Sequence, residues 1–271
     1  MNLWEILPTA QQIAAAPIAS HVAFVGFFGA VGLVADTACR LMGITRRETK
    51  IILVSSTTAY LHAIPMCIAS YGLLSAKGWT WTGPWGGIDF TAPNSPQEIA
   101  AIVFCQSFMI YDTLSMWLQS STEYLYQIHH VGVLIHMSLC LYVGRGGLSI
   151  CLCALLGEMT NPVQNTWIIA CALYDDYKAS HRLRKLLTLA TLFELSVARF
   201  FYIPLALIAV FCRAMLISPP QEAVDGIPLA VRGLWCFIPV AVVAGSALFV
   251  RGLLGDKGYW DEAEAGKAKK E

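Results

Sequence analysis

The sequence predicts an all-α fold, a polytopic membrane helix bundle with about seven transmembrane helices, and three observations predict it. Hydrophobic residues make up 56% of the 271 residues and charged residues only 13%, whereas soluble domains carry about 25% charge. Apolar runs long enough to cross about 30 Å of hydrocarbon recur along the whole chain. These runs are continuous rather than alternating, which argues against a closed barrel of strands.

Residues 1–16 read as a short interfacial segment, and no cleavable signal segment is expected, because Glu5 and no Lys or Arg precedes the first apolar run. The spans then follow in order as 17–41, 51–74, 99–118 and 125–143. A Gly144-Arg145-Gly146-Gly147 turn leads into a fifth span, 148–174, interrupted by Pro162. The sixth, 186–217, holds Pro204, and the seventh covers 229–254. One transmembrane domain thus occupies 17–254, followed by a charged, solvated tail at 255–271.

Lys and Arg fall unevenly once the loops are sorted into two alternating sets. One side collects Arg40, Arg46, Arg47, Lys50, Lys178, Arg182, Arg184, Lys185 and the cations of the tail, while the other holds Lys77, Arg145, Arg213 and Arg232. The positive-inside rule places the first set, with the C-terminus, on the cytosolic or equivalent face and the N-terminus on the trans face. The nine cysteines lie almost entirely within spans, where they behave as small apolar residues. A formal net charge of zero gives no sign of a nucleic-acid partner.

Ionisable groups inside membrane spans are costly and mark candidate sites. At 1.5 Å of rise per residue, Asp112 lies about 9 Å below the basic face, and His130 lies at nearly the same depth on the next, antiparallel span. An imidazole beside a carboxylate is either a structural pair or a general base. His129 and His136, seven residues apart, share a helix face from which His130 diverges by about 100°. In Leu156-Gly157-Glu158-Met159-Thr160-Asn161-Pro162, Pro162 breaks the helix beside a mid-membrane Glu158. The freed carbonyls take donors from Asn161, Gln164 and Asn165, or the break opens a pocket in which Glu158 meets His136 or Arg199. A single His pair is too few for the multiple histidine clusters of metal-dependent membrane hydroxylases, so no metal and no cofactor is expected. Trp79, Trp81 and Trp85 in the second loop read as interface anchors beneath a Gly- and Pro-rich trans lid.

The segments IYDTLSMWL, YLYQIHHVGVLIHMSLCLYVGRGG and LGEMTNPVQNTWIIA, in that order and spacing, resemble the TLC-domain proteins, the membrane superfamily that includes the ceramide synthases. The resemblance covers about residues 50–254. In the ceramide synthase branch the His pair is followed by a His-Asp cluster that helps form the acyl-transfer site; here Leu156 to Thr160 stands in that place. The resemblance is therefore to the TLC-domain-containing branch, and it implies a protein that binds or regulates lipids, in membrane composition, sensing or trafficking.

Three functions compete on this reading. The first is lipid binding by a polar pocket lined by Asp112, His129, His130, His136, Glu158, Asn161 and Arg199, with membrane lipids as the partners. The second is an acyltransferase in which His129, His130 and Asp112 are the catalytic residues. The third is an accessory subunit of a large organellar complex, with other membrane-protein subunits as partners. The endoplasmic reticulum is the expected location, and an organellar inner membrane is the alternative.

Overall fold

A computed structural model describes residues 9–80, 88–119, 124–177, 181–197, 204–217 and 226–255. The elements are helices: α1 (Ala10–Ala15), α2 (Pro17–Leu41), α3 (Arg47–Ala76), α4 (Pro96–Leu118), α5 (Tyr124–Val143), α6 (Gly147–Glu158), α7 (Asn161–Tyr177), α8 (His181–Leu195), a π-helical segment (Pro204–Ile217) and α9 (Leu229–Gly255). Among the described residues the nearest thing to a strand is one isolated bridge, Pro93 with Arg145.

Four of these helices, α2, α3, α4 and α9, are each long and apolar enough to cross a membrane among the described residues. The exposed side chains fit lipid rather than water: Ile18, Leu33, Val34, Ile68, Ile128, Phe237 and Leu248 all stand out from the bundle. The predicted fifth span is not one helix. Glu158 ends α6, Asn161 begins α7, and the two pieces of 12 and 17 residues are individually short of the roughly 20 residues that a span needs. The predicted sixth span is described at its two ends, by α8 and the π-helical segment. Residues 198–203 between them, including Arg199, lie outside the described residues, as do 1–8, Trp81, Trp85 and the tail from 256.

The long α3 explains how a broken span is accommodated. It packs against α6 along one half and α7 along the other, so the 30-residue helix splints the interruption. Phe28 of α2 fills the junction of α2, α3 and α4, with ring centroids 5.3 Å from Phe108 and 5.5 Å from Phe104. Gly32 lets the Tyr111 hydroxyl approach α2 where any Cβ would collide with it. On the other flank, α9 packs on α5 and the π-helical segment, burying Trp235 completely.

The segments assigned to the trans face come together in space. Asp89 Oδ1 accepts from the Thr91 amide at 2.8 Å and from its hydroxyl at 2.6 Å, a side-chain-closed turn. Arg145 Nη1 donates to the Thr91 carbonyl at 2.6 Å. Asn94 bridges two helices: its Nδ2 donates to the Cys140 carbonyl at 2.9 Å, and its Oδ1 accepts from the Gly147 amide at 2.7 Å. The 88–95 loop is thereby stitched onto the α5–α6 turn, and Ser95 caps α4 by accepting from the Glu98 amide at 3.3 Å, with Pro96 at the first helical position.

Candidate functional site

Two polar groups, one at mid-depth and one nearer the basic face, occupy the space among α3, α4, α5 and the α6–α7 break. At mid-depth, Glu158 at the end of α6 accepts from Asn161 Nδ2, and its Oε2 lies 3.4 Å from His62 Nδ1. The His62 side chain is fully buried, and Phe108 stacks on it with ring centroids 4.1 Å apart and planes only 6° from parallel. Phe104 and Phe28 flank the same ring. Fifteen residues separate His62 from the start of α3 and fourteen from its end, which puts it about 22 Å from either end.

Nearer the basic face, His130 Nε2 lies 3.6 Å from Asp112 Oδ2. The other ring nitrogen, Nδ1, is 3.3 Å from Thr113 Oγ1. The Thr113 hydroxyl donates its one proton to the Met109 carbonyl at 2.6 Å, so it can only accept from the imidazole, and Nδ1 carries the hydrogen. A neutral His130 therefore presents a bare Nε2 lone pair toward a carboxylate. At 3.6 Å the two atoms are beyond hydrogen-bond distance, and they form an ion pair only when the imidazole is protonated. Both also lie within electrostatic reach of Glu158 and His62, which joins the two groups into one polar column.

The expected site residues divide unevenly over this column. Asp112 and His130 are brought together, and Glu158 and Asn161 are brought together. His129 is half-buried, with its ring 5.7 Å from that of His130. His136 is not brought to Glu158: its Nε2 pairs with Ser149 Oγ at 3.3 Å, and its ring stacks on Trp235 at 5.6 Å. The Ser149 hydroxyl donates to the Gly146 carbonyl at 2.7 Å, so His136 is the donor to it. The shared face of His129 and His136 thus carries one half-buried and one fully enclosed ring, and the diverging His130 is the one held by α4. Arg199 lies outside the described residues.

The helix break is satisfied only in part as expected, with Asn165 donating to a backbone carbonyl and Asn161 and Gln164 going elsewhere. The Thr160 hydroxyl donates to the Gly157 carbonyl at 2.8 Å, and Asn165 Nδ2 to the Asn161 carbonyl at 2.9 Å. Asn161 gives its amide to the Glu158 carboxylate instead, and Gln164 Nε2 reaches Tyr126 on α5 at 3.0 Å. Tyr60 of α3 pairs with Thr166 and with the Pro162 carbonyl. The break is pinned from α3 and α5, and its carboxylate meets His62 and Asn161.

His62 was not among the expected site residues, although the signal for it is present in the sequence. It is an ionisable group at the middle of an apolar run, three residues before Pro65, the same combination that singles out Glu158. Among the described residues no three His, Cys, Asp or Glu side chains are grouped to hold a metal ion. An apolar groove of about 550 Å³ lies between α2 and α3 and a smaller depression of about 330 Å³ on α2 alone, and neither is lined by the polar column. Access to the column is from the bundle surface, where Asp112 and His129 are half-buried between α4 and α5.

Among known proteins, the family model described as TLC domain matches residues 52–251. No curated protein and no solved structure matches the chain. The matched region spans most of the sequence and takes in α3 to α9, the whole of the polar column: the chain belongs to the TLC-domain family of integral membrane proteins.

Proposed function

We propose that this TLC-domain membrane protein binds or regulates lipids, in membrane composition, sensing or trafficking, through the polar column inside its bundle. The observation that carries the reading is the pairing of a half-buried Asp112 on α4 with His130 on α5 at 3.6 Å, within electrostatic reach of a buried Glu158 and His62. Such groups are expensive at this depth, by about 2.5 to 3.5 kcal/mol for a lone Asp at a span centre. A lipid headgroup offering donors and acceptors at the same level offsets that cost. The endoplasmic reticulum is the membrane we assign, with seven crossings and a cytosolic basic face.

The test is the lipid that stays bound to the purified full-length chain, quantified by mass spectrometry. Wild type is expected to retain a defined lipid class, and Asp112→Asn or His130→Gln to retain at least about tenfold less, because a hydrogen bond to a charged group contributes about 1.5 to 3 kcal/mol. Equal retention in all three would overturn the reading.

A second reading is favoured by the His130 tautomer. With Nδ1–H held by Thr113, Nε2, which faces Asp112, takes the proton of an amine or hydroxyl acceptor as that acceptor attacks the carbonyl of an acyl thioester, and the thiolate leaves with the proton. Wild-type protein in liposomes that forms no acylated product from any acyl thioester removes this alternative. Product that disappears in a folded His130→Ala variant establishes it.

A further inference from the structure

The grooves along α2 and α3 belong to a different part of the molecule from the polar column. The larger one is bounded by Phe27 and Leu61 near mid-depth and by Leu53 toward the basic end, and Ala35 and Ala38 create its width by having almost no side chain. Its 550 Å³ falls within the roughly 300 to 1,000 Å³ of ligand sites. The smaller groove shares Val34 and Ala38 with it. The larger groove thus has walls on both helices, whereas the smaller is a shallow depression on the exposed face of α2 alone, lined by Leu33, Val34, Thr37, Ala38 and Leu41.

The larger groove ends at a charged rim. Asp36 accepts from Arg40 Nε at 2.8 Å and from Lys50 Nζ at 3.1 Å, so two cations share one carboxylate and leave a net positive charge. Arg47 adds another on the next turn, while Arg46 is balanced by Glu48 at 2.9 Å. The 25 residues of α2 extend about 37 Å, more than the roughly 30 Å hydrocarbon thickness, which puts Arg40 and Lys50 at headgroup level when the apolar groove lies among acyl chains.

From this gradient we propose a second lipid site: an anionic phospholipid of the basic-face leaflet lies along α2 and α3, an acyl chain in the groove between them, with its phosphate on Arg40 and Lys50. The apolar walls take the acyl chain, and the unequal charge count selects an anionic over a zwitterionic headgroup. The site goes beyond the function proposed above and shares no residue with Asp112, His130, Glu158 or His62.

Native mass spectrometry of the full-length chain, titrated with phosphatidylglycerol and with phosphatidylcholine of the same chain length, tests it. Wild type is expected to prefer phosphatidylglycerol, and Lys50→Gln or Arg40→Gln to lose about fivefold of that preference each, the effect of one cation near a membrane surface. Lys50→Arg should keep it. Ala38→Trp, at an exposed position in the groove wall, should weaken retention of both lipids. Equal affinity for the two lipids in wild type, or unchanged retention in Ala38→Trp, overturns the proposal. So does an Ala38→Trp variant that only converts a dimer to a monomer, since a second copy of the chain would then be the occupant. Asp112→Asn serves as the separating control: it is expected to leave this preference intact, so loss of lipid there and not here, or the reverse, identifies which of the two sites has failed.

Discussion

His62 Nδ1 on α3 lies 3.4 Å from Glu158 Oε2 at the end of α6, joining the middle of an unbroken helix to the point where another is broken. A continuous helix satisfies its own backbone, but a break at membrane depth needs side chains from neighbours. Here the Tyr60 hydroxyl of α3 donates to the Pro162 carbonyl, while Tyr126 of α5 accepts from the Gln164 side chain and His62 of α3 faces the Glu158 carboxylate. Individual interhelical hydrogen bonds in membranes contribute only about 0.6 kcal/mol on average. Their role at the break is therefore positional, and the aromatic packing of Phe28, Phe104 and Phe108 around His62 does most of the holding.

Removing the carboxylate exposes what depends on it. Glu158→Ala leaves Asn161 Nδ2 without its acceptor in a buried site, and a stability loss of about 1 to 3 kcal/mol is expected. Thermal unfolding in nanodiscs measures it. Glu158→Gln, which keeps an acceptor oxygen for Asn161, should lose less.

The pairing of His62 with Glu158 is a separate quantity. A double-mutant cycle of His62→Ala and Glu158→Ala is expected to show a coupling energy of about 0.5 to 3 kcal/mol, as contacting residues do. Strict additivity of the two losses would mean that the 3.4 Å contact carries no energy.

The break is legible in the sequence, because Pro162 lacks an amide hydrogen and its ring clashes with the carbonyl four residues back, which is that of Glu158. The depth match of Asp112 and His130 is legible too, from rise per residue and a short connecting loop. His62 shows the limit of applying a rule unevenly: it sits in YLHAIP, in the middle of a run with the hydropathy of an ordinary span. The destination of His136 is not legible at all. Its partners are Ser149 of α6 and Trp235 of α9, and no local periodicity says which helix far along the chain closes against α5. Hydropathy likewise merges α6 and α7 into one crossing, since it sums apolar character and is blind to a turn of two residues.

At the 88–95 loop, the Asn94 side chain holds α5 and α6 together with two hydrogen bonds. Asn94→Ala is expected to destabilise the protein by about 2 kcal/mol and to raise amide exchange selectively in 88–95 and 144–149. Exchange that rises evenly over the whole chain would speak against a local clasp.

Gly147 tests the tightness of the same clasp. A Cβ there would stand 2.8 Å from Glu98 Cβ and 2.9 Å from Asn94 Oδ1, so Gly147→Ala should cost about 1 to 3 kcal/mol through overpacking. Gly157→Ala is the control, because a Cβ there meets nothing within 4 Å. Comparable melting temperatures for the two variants would contradict the packing described.

A cryo-EM map of the full-length protein in lipid nanodiscs examines the lipid-handling role most directly. Non-protein density entering between α4 and α5, with a polar group within about 3.2 Å of Asp112 or His130, is the expected result. A map in which protein side chains fill that entrance and Asp112 turns to a backbone donor instead would contradict it.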